Sequence, residues 1–207
     1  MIPRVAILIS GRGSNMVALA ESVSNGALAG CCEIAAVIAS RPGAAGLARA
    51  KERGLAVFAL DARGMAKDAY DDALLAVLEN CRADVVVLAG YMRILSPRVV
   101  ERYRGRILNI HPADTSEHQG LHGYAWAFEN RRPATKITVH LVDEGLDTGA
   151  VLARREVDLR GAATLEEVER RGLAVEHELY QEAIKEFLTT NFANSANTKQ
   201  RKRICAE

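Results

Sequence analysis

The chain has 207 residues, 49% of them hydrophobic and 26% charged, with a formal net charge of +1. A chain of this length can bury a sizeable core without disulfides or metals, and its composition is that of a globular protein. The near-zero charge gives no electrostatic case for nucleic acid, and no run of roughly 18 apolar residues is present to span a membrane.

The first predicted element is a strand over Val5–Ile9, a continuous apolar run of the kind covered on both faces. Gly11-Arg12-Gly13-Ser14-Asn15 follows, then a helical pattern to about Ser24. A strand is expected over Glu33–Ala39, a helix over Ala44–Arg53 that stops at Gly54, and a third strand over Ala56–Leu60. Ala66–Asn80 puts Tyr70, Leu74, Leu75 and Leu78 on one helical face. Asp84–Gly90 reads as the fourth strand, a short helix starts near Pro97, and Arg106–Ile110 reads as the fifth strand. Strands alternating with helices predict an α/β fold: a Rossmann-like, mostly parallel twisted sheet flanked by helices, with right-handed crossovers.

After residue 130 the rhythm changes. Ile137–Val142 and Val151–Val157 read as a C-terminal antiparallel strand pair joined by an irregular loop, and Thr164–Leu188 as a long C-terminal helix. Residues 1–190 are expected to form one domain. Residues 191–207 are expected to be a disordered tail, whose four basic side chains against Glu207 carry a net +3. Cys31, Cys32, Cys81 and Cys205 form no C-x-x-C and no zinc-like spacing, which reads as reduced thiols in a cytoplasmic protein with no metal.

Three segments could carry chemistry. Gly11–Asn15 lies between a strand and a helix, where backbone N–H groups can receive an anion; a tight turn with Ser14 as helix cap is the alternative. Met16 stands where a dinucleotide fingerprint needs its next glycine, which disfavours a nicotinamide cofactor. The apolar run Ile107-Leu108-Asn109-Ile110-His111 ends on an amide and an imidazole at a strand's carboxyl end, where α/β sheets bind ligands. Their i, i+2 spacing sends both side chains to one side, so two donors can meet a developing oxyanion, or simply cap the strand. Asp147, in the loop Glu144–Gly149, could bring a carboxylate to His111, raise its pKa and relay protons; a turn aspartate bonded to its own backbone is the alternative. His122 and His140 could join such a site but suit structural roles as well, and His118 and His177 carry no informative context.

Taken in order, ISGRGSN, VVVLAGYMRILSP, ILNIHP, GLH and TVHLVDEGLDTG resemble the glycinamide ribonucleotide formyltransferase family over residues 4–188. The resemblance implies formyl transfer from 10-formyltetrahydrofolate, as co-substrate, to the amine of glycinamide ribonucleotide in purine biosynthesis. It implies a catalytic trio of Asn109, His111 and Asp147. It implies ribonucleotide binding by Gly13, Ser14, Asn15, Lys67 and Glu176. It implies folate binding by Met92, Arg93, Ile94 and Leu95, with Val142, Asp143 and Glu144 on the other wall. Small-molecule substrates, no nucleic acid or membrane, and a monomer or homodimer go with that reading. The sequence also departs from the family. Ala113-Asp114-Thr115-Ser116 replaces Ser-Leu-Leu-Pro, Thr135-Lys136 replaces His-Gly, and Tyr124 replaces a histidine. A related formyl hydrolase, a formyltransferase acting on another amine, and a non-catalytic nucleotide or folate binder are the alternatives.

Overall fold

The structure is a computed structural model and describes residues 2–61 and 63–192. In chain order the elements are β1 (Arg4–Ile9), α1 (Ser14–Asn25), β2 (Glu33–Ala39), α2 (Ala45–Lys51), β3 (Val57–Ala59), α3 (Lys67–Asn80), β4 (Val85–Leu88), α4 (Pro97–Arg102), β5 (Ile107–His111), α5 (Gly123–Glu129), β6 (Ala134–Leu141), β7 (Val151–Asp158) and α6 (Leu165–Phe192). The strands form one seven-stranded sheet in the order β3-β2-β1-β4-β5-β6-β7. Strands β1 to β5 pair parallel, while β5–β6 and β6–β7 pair antiparallel.

The apolar runs are explained by burial on both faces of the sheet. Val5, Ile7 and Ile9 point into a core with Met16, Leu19 and Tyr180. Ala6 and Leu8 point the other way, against Tyr70, Leu74 and Val99. Each fully buried Leu or Ile contributes about 1.5–3 kcal/mol, so a charge anywhere in the stretch Val5–Ile9 is excluded from either side.

Helix starts follow local chemistry. Ser96 caps α4 by accepting from the Val99 N–H at 3.4 Å, with Pro97 in the first turn. Thr164 accepts from the Glu167 N–H at 3.2 Å at the start of α6. Gly13, not Ser14, is the N-cap of α1; it adopts φ 72°, and no side chain caps that helix. A Cβ at Gly13 would also lie 3.0 Å from the Cα of Gly46.

The two largest boundary differences from the sequence reading lie in the C-terminal third. Strand β6 begins at Ala134 rather than Ile137, because Ala134, Thr135 and Lys136 pair with Asp158, Val157 and Glu156 although they break the apolar pattern. Helix α6 runs on to Phe192, so the tail expected over 191–207 lies outside the described residues from 193 onward. Among the described residues, Cys31, Cys32 and Cys81 are free thiols, and burial pushes Cys32 up to about 11. No described helix is long and apolar enough to cross a membrane.

From β1 the chain builds outward to β3, then returns to lay β4 and β5 on the other side of β1. That reversal opens a crevice at the carboxyl ends of β1 and β4. The Ser10 N–H donates to the Gly90 carbonyl at 3.0 Å, and the Ser10 hydroxyl accepts from the Met92 N–H at 2.9 Å, which pins the crevice floor. The fully buried Tyr180 of α6 shares its hydroxyl proton between the carbonyls of Leu88, at 2.9 Å, and Leu108, at 3.0 Å.

Candidate active site

Asn109 and His111 stand at the carboxyl end of β5, and the antiparallel register with β6 places His140 directly opposite Asn109. The Asn109 amide Nδ2 lies 3.1 Å from His140 Nε2 and 3.3 Å from Asp147 Oδ1. Asp147 Oδ2 lies 3.4 Å from His111 Nδ1, and Asp147 Oδ1 lies 3.4 Å from His140 Nε2. The three residues named from sequence therefore meet, and His140 joins them. His140 Nδ1 donates to the Leu141 carbonyl at 2.8 Å, which turns the ring's Nε2 toward Asn109 and Asp147.

Asp147 reaches the cluster from a compact loop. Asp143 Oδ1 accepts from the Gly145 N–H at 3.0 Å and from the Thr148 hydroxyl at 2.7 Å. A Cβ at Gly149 would fall 1.8 Å from the Leu141 carbonyl oxygen, so only glycine closes the loop there. Asp147 itself takes φ 53°, an uncommon backbone for a non-glycine residue. Its carboxylate also accepts the Gly120 N–H at 2.8 Å.

The electrostatics correct one expectation. Asp147 does pull the His111 pKa upward, but burial outweighs it, and the imidazole titrates below its usual 6.5. His111 is 3% exposed, so charging it means bringing an ion into a dry wall. The pKa of Asp147 moves down: burial opposes ionisation, and the His140 ring, the Gly120 N–H and His111 overcome it. The resting pair is a carboxylate beside a neutral ring.

A cleft of about 380 Å³ opens over the cluster, lined by Asn109, His111, His140 and Asp147. Met92, Arg93, Ile94 and Leu95 form one wall, and Val142 and Asp143 the other. Met92 is 62% and Ile94 76% exposed, an apolar surface without a cover. Glu144, also named from sequence, does not line this cleft and lies 3.6 Å from Arg104. His122 lines the cleft and is the N-cap of α5, at φ 67°.

Glu176 is buried beside the glycine loop. One of its oxygens accepts from the Asn15 amide and the other from the Tyr124 hydroxyl. Burial pushes its pKa up while those two donors pull it down, with a net rise. Asn15 Oδ1 is buried with no hydrogen-bond partner among the described residues. Tyr124 fits only because position 172 is glycine: a Cβ there would lie 2.2 Å from its ring. Lys67, the first residue of α3, is exposed and shows no bond to either cluster among the described residues.

Comparison with known proteins agrees with this geometry. The formyl transferase family model matches residues 3–184. The phosphoribosylglycinamide formyltransferase of Escherichia coli is 36% identical over 177 residues, covering 85% of this chain and 82% of that protein. The crystal structure of phosphoribosylglycinamide formyltransferase from Bacillus halodurans superimposes with a TM-score of 0.86 at 38% identity, over 92% of this chain and 97% of that one. A trifunctional purine biosynthetic protein of Drosophila melanogaster is 39% identical over 157 residues; these cover 75% of this chain and only 12% of that much longer protein. With the matched family spanning the sheet, the cleft and both clusters, the chain belongs to the phosphoribosylglycinamide formyltransferases of the formyl transferase family.

Proposed function

We propose that this chain transfers the formyl group of 10-formyltetrahydrofolate to the amine of glycinamide ribonucleotide in purine biosynthesis. The observation that carries the reading is the meeting of Asn109, His111 and Asp147 within 3.4 Å under an apolar-walled cleft. The glycine loop Gly13-Ser14-Asn15 and the buried Glu176 bonded to it form a polar cluster suited to a phosphorylated sugar, and Lys67, at the exposed start of α3, is assigned to the same ligand. Met92, Arg93, Ile94, Leu95, Val142 and Asp143 bind the folate; Glu144 stands outside that wall. Residues 1–190 act as one catalytic domain of a cytoplasmic monomer or homodimer that engages neither nucleic acid nor membrane.

In the reaction the amine nitrogen attacks the formyl carbon, and its C–N bond forms as the carbonyl π pair moves onto oxygen. The Asn109 amide turns one N–H from Asp147 to that oxygen and donates to it. His111 starts neutral and takes the amine's surplus proton as the ring's charge becomes paired with Asp147. The tetrahedral centre then expels folate N10, which collects the proton, so no proton is gained or lost overall. Binding both substrates in line supplies much of the rate. Direct attack needs neither a metal nor a covalent enzyme intermediate.

The test follows 10-formyltetrahydrofolate by absorbance, with and without glycinamide ribonucleotide. Turnover that requires the ribonucleotide is expected. Turnover without it would make the chain a hydrolase, and no turnover in either case would overturn catalysis.

A further inference from the structure

Two of the departures from the family pattern meet in space. Asp114 is 5% exposed. Its Oδ2 accepts from Lys136 Nζ at 2.8 Å, and its Oδ1 accepts from the Ser116 N–H at 3.0 Å and the Ser116 hydroxyl at 2.6 Å. The Arg154 guanidinium lies 3.5 Å from Oδ1 and donates to the Thr115 hydroxyl at 3.2 Å. A buried carboxylate is tolerated when its lone pairs are met by charged and polar donors, and removal of one partner is then costly. Lys136 lies on β6 and Arg154 on β7, so the anchor is the antiparallel end of the sheet. The Thr138 hydroxyl adds a bond to the Ala113 carbonyl at 2.8 Å.

The anchored turn reaches the catalytic ring. The Asp114 carbonyl accepts from the Glu117 and His118 N–H groups, both at 2.9 Å. The turn ends at His118, whose ring stacks on Trp126 at 5.0 Å. The His118 carbonyl accepts from His111 Nε2 at 2.9 Å. A carbonyl can only accept, so this bond keeps the proton of neutral His111 on Nε2. The lone pair is left on Nδ1, beside Asp147.

We propose that Asp114 is a positioning residue for formyl transfer. Its ion pairs with Lys136 and Arg154 lock the 113–118 turn so that the His118 carbonyl orients the His111 ring and selects Nδ1 as the nitrogen that moves the proton. The catalytic half of this inference rests on the proposed function; the hold on the ring does not. A carboxylate–ammonium pair here does the work that the family gives to an apolar stretch, and it couples the shape of the site to a side-chain contact remote from the reacting atoms.

The experiment records the ring-nitrogen NMR signals of His111 at mildly alkaline pH, assigned by their loss in His111→Asn, together with kcat and KM. The wild type is expected to show the Nε2–H tautomer. Asp114→Asn and Lys136→Met are each expected to mix the two tautomers and to lower kcat roughly ten- to a hundred-fold, the scale of a misplaced catalytic group, with KM changed less than about two-fold. Asp114→Leu combined with Lys136→Gly is expected to lose less kcat than the product of its two single variants, since both charges leave together. An Nδ1–H wild type, or single variants with unchanged tautomer and kcat, would overturn the inference. So would variants that lower the melting temperature and all kinetic constants together while the tautomer stays fixed. A wild type with the expected tautomer but no formyl transfer would sink the proposed function alone.

Discussion

Two loops bring groups to His111, and they are built on opposite principles. The loop over residues 143–149 is held by its own short bonds, with Asp143 bonded to Gly145 and Thr148, and by a backbone approach that only Gly149 permits. The loop over residues 113–120 is held from outside, by Lys136, Arg154 and Thr138 on neighbouring strands. The first matches the family in TVHLVDEGLDTG, and the second departs from it. Side-chain anchors can be exchanged in pairs, whereas a backbone contact at 1.8 Å from a hypothetical Cβ has no partner to exchange. Divergence has therefore gathered where the site is held by replaceable contacts.

Removing what each loop delivers should give the largest effect. His111→Asn and Asp147→Asn are each expected to lower kcat by roughly 10²–10⁴-fold, the usual worth of a positioned proton carrier, in steady-state formyl transfer. Asn109→Ala removes one oxyanion donor and should cost roughly 10²–10³-fold in kcat, with a smaller change in KM. Gly149→Ala strikes the self-built loop: the Leu141 carbonyl must move, and a loss of roughly a hundred-fold in kcat/KM is expected with a lower melting temperature. Thr148→Ala takes one hydroxyl bond from the same loop and should cost only about 1 kcal/mol in denaturant unfolding.

Acid should separate the two kinds of construction. His111 titrates below 6.5 in the fold because burial disfavours its charge. The unfolded chain then binds the proton more readily, so stability is full above about pH 6.5, declines as pH falls through that window, and levels off below the folded value. Asp114 is held well below its usual 3.8. Burial opposes this, and Lys136, Ser116 and Arg154 prevail, so its contribution is present above about pH 4 and is lost as pH falls through the depressed value. Urea unfolding across pH should show a first decline that disappears in His111→Asn. A second decline, at more acid pH, should disappear in Asp114→Asn.

Much of the frame was legible because β1, β4 and β5 are buried on both faces and therefore read as unbroken apolar runs. Asn109 and His111 stood out as polar residues ending such a run, and Asp147 as a carboxylate flanked by glycines. His140 was harder to single out, since its position opposite Asn109 follows from an antiparallel register that no local pattern encodes. The direction of the His111 pKa shift is not legible, because a neighbouring carboxylate is visible in sequence and burial is not. Glu176 was found through resemblance alone; its bonds to Asn15 and Tyr124 join positions 161 and 52 residues apart. Asp114 and Lys136 stand out in sequence only as departures, and their pairing depends on the sheet.

The shared hydroxyl proton of Tyr180 has a mechanical meaning. It ties the middle of α6 to the last carbonyl of β4 and to that of the residue before Asn109 in β5, so the helix works as a strut beneath the catalytic floor. Chain shortening from the C-terminus should consequently show a threshold rather than a gradual decline. Cuts beyond Phe192 leave the strut in place, while a cut that frays α6 back to Tyr180 frees β4 and β5 at once.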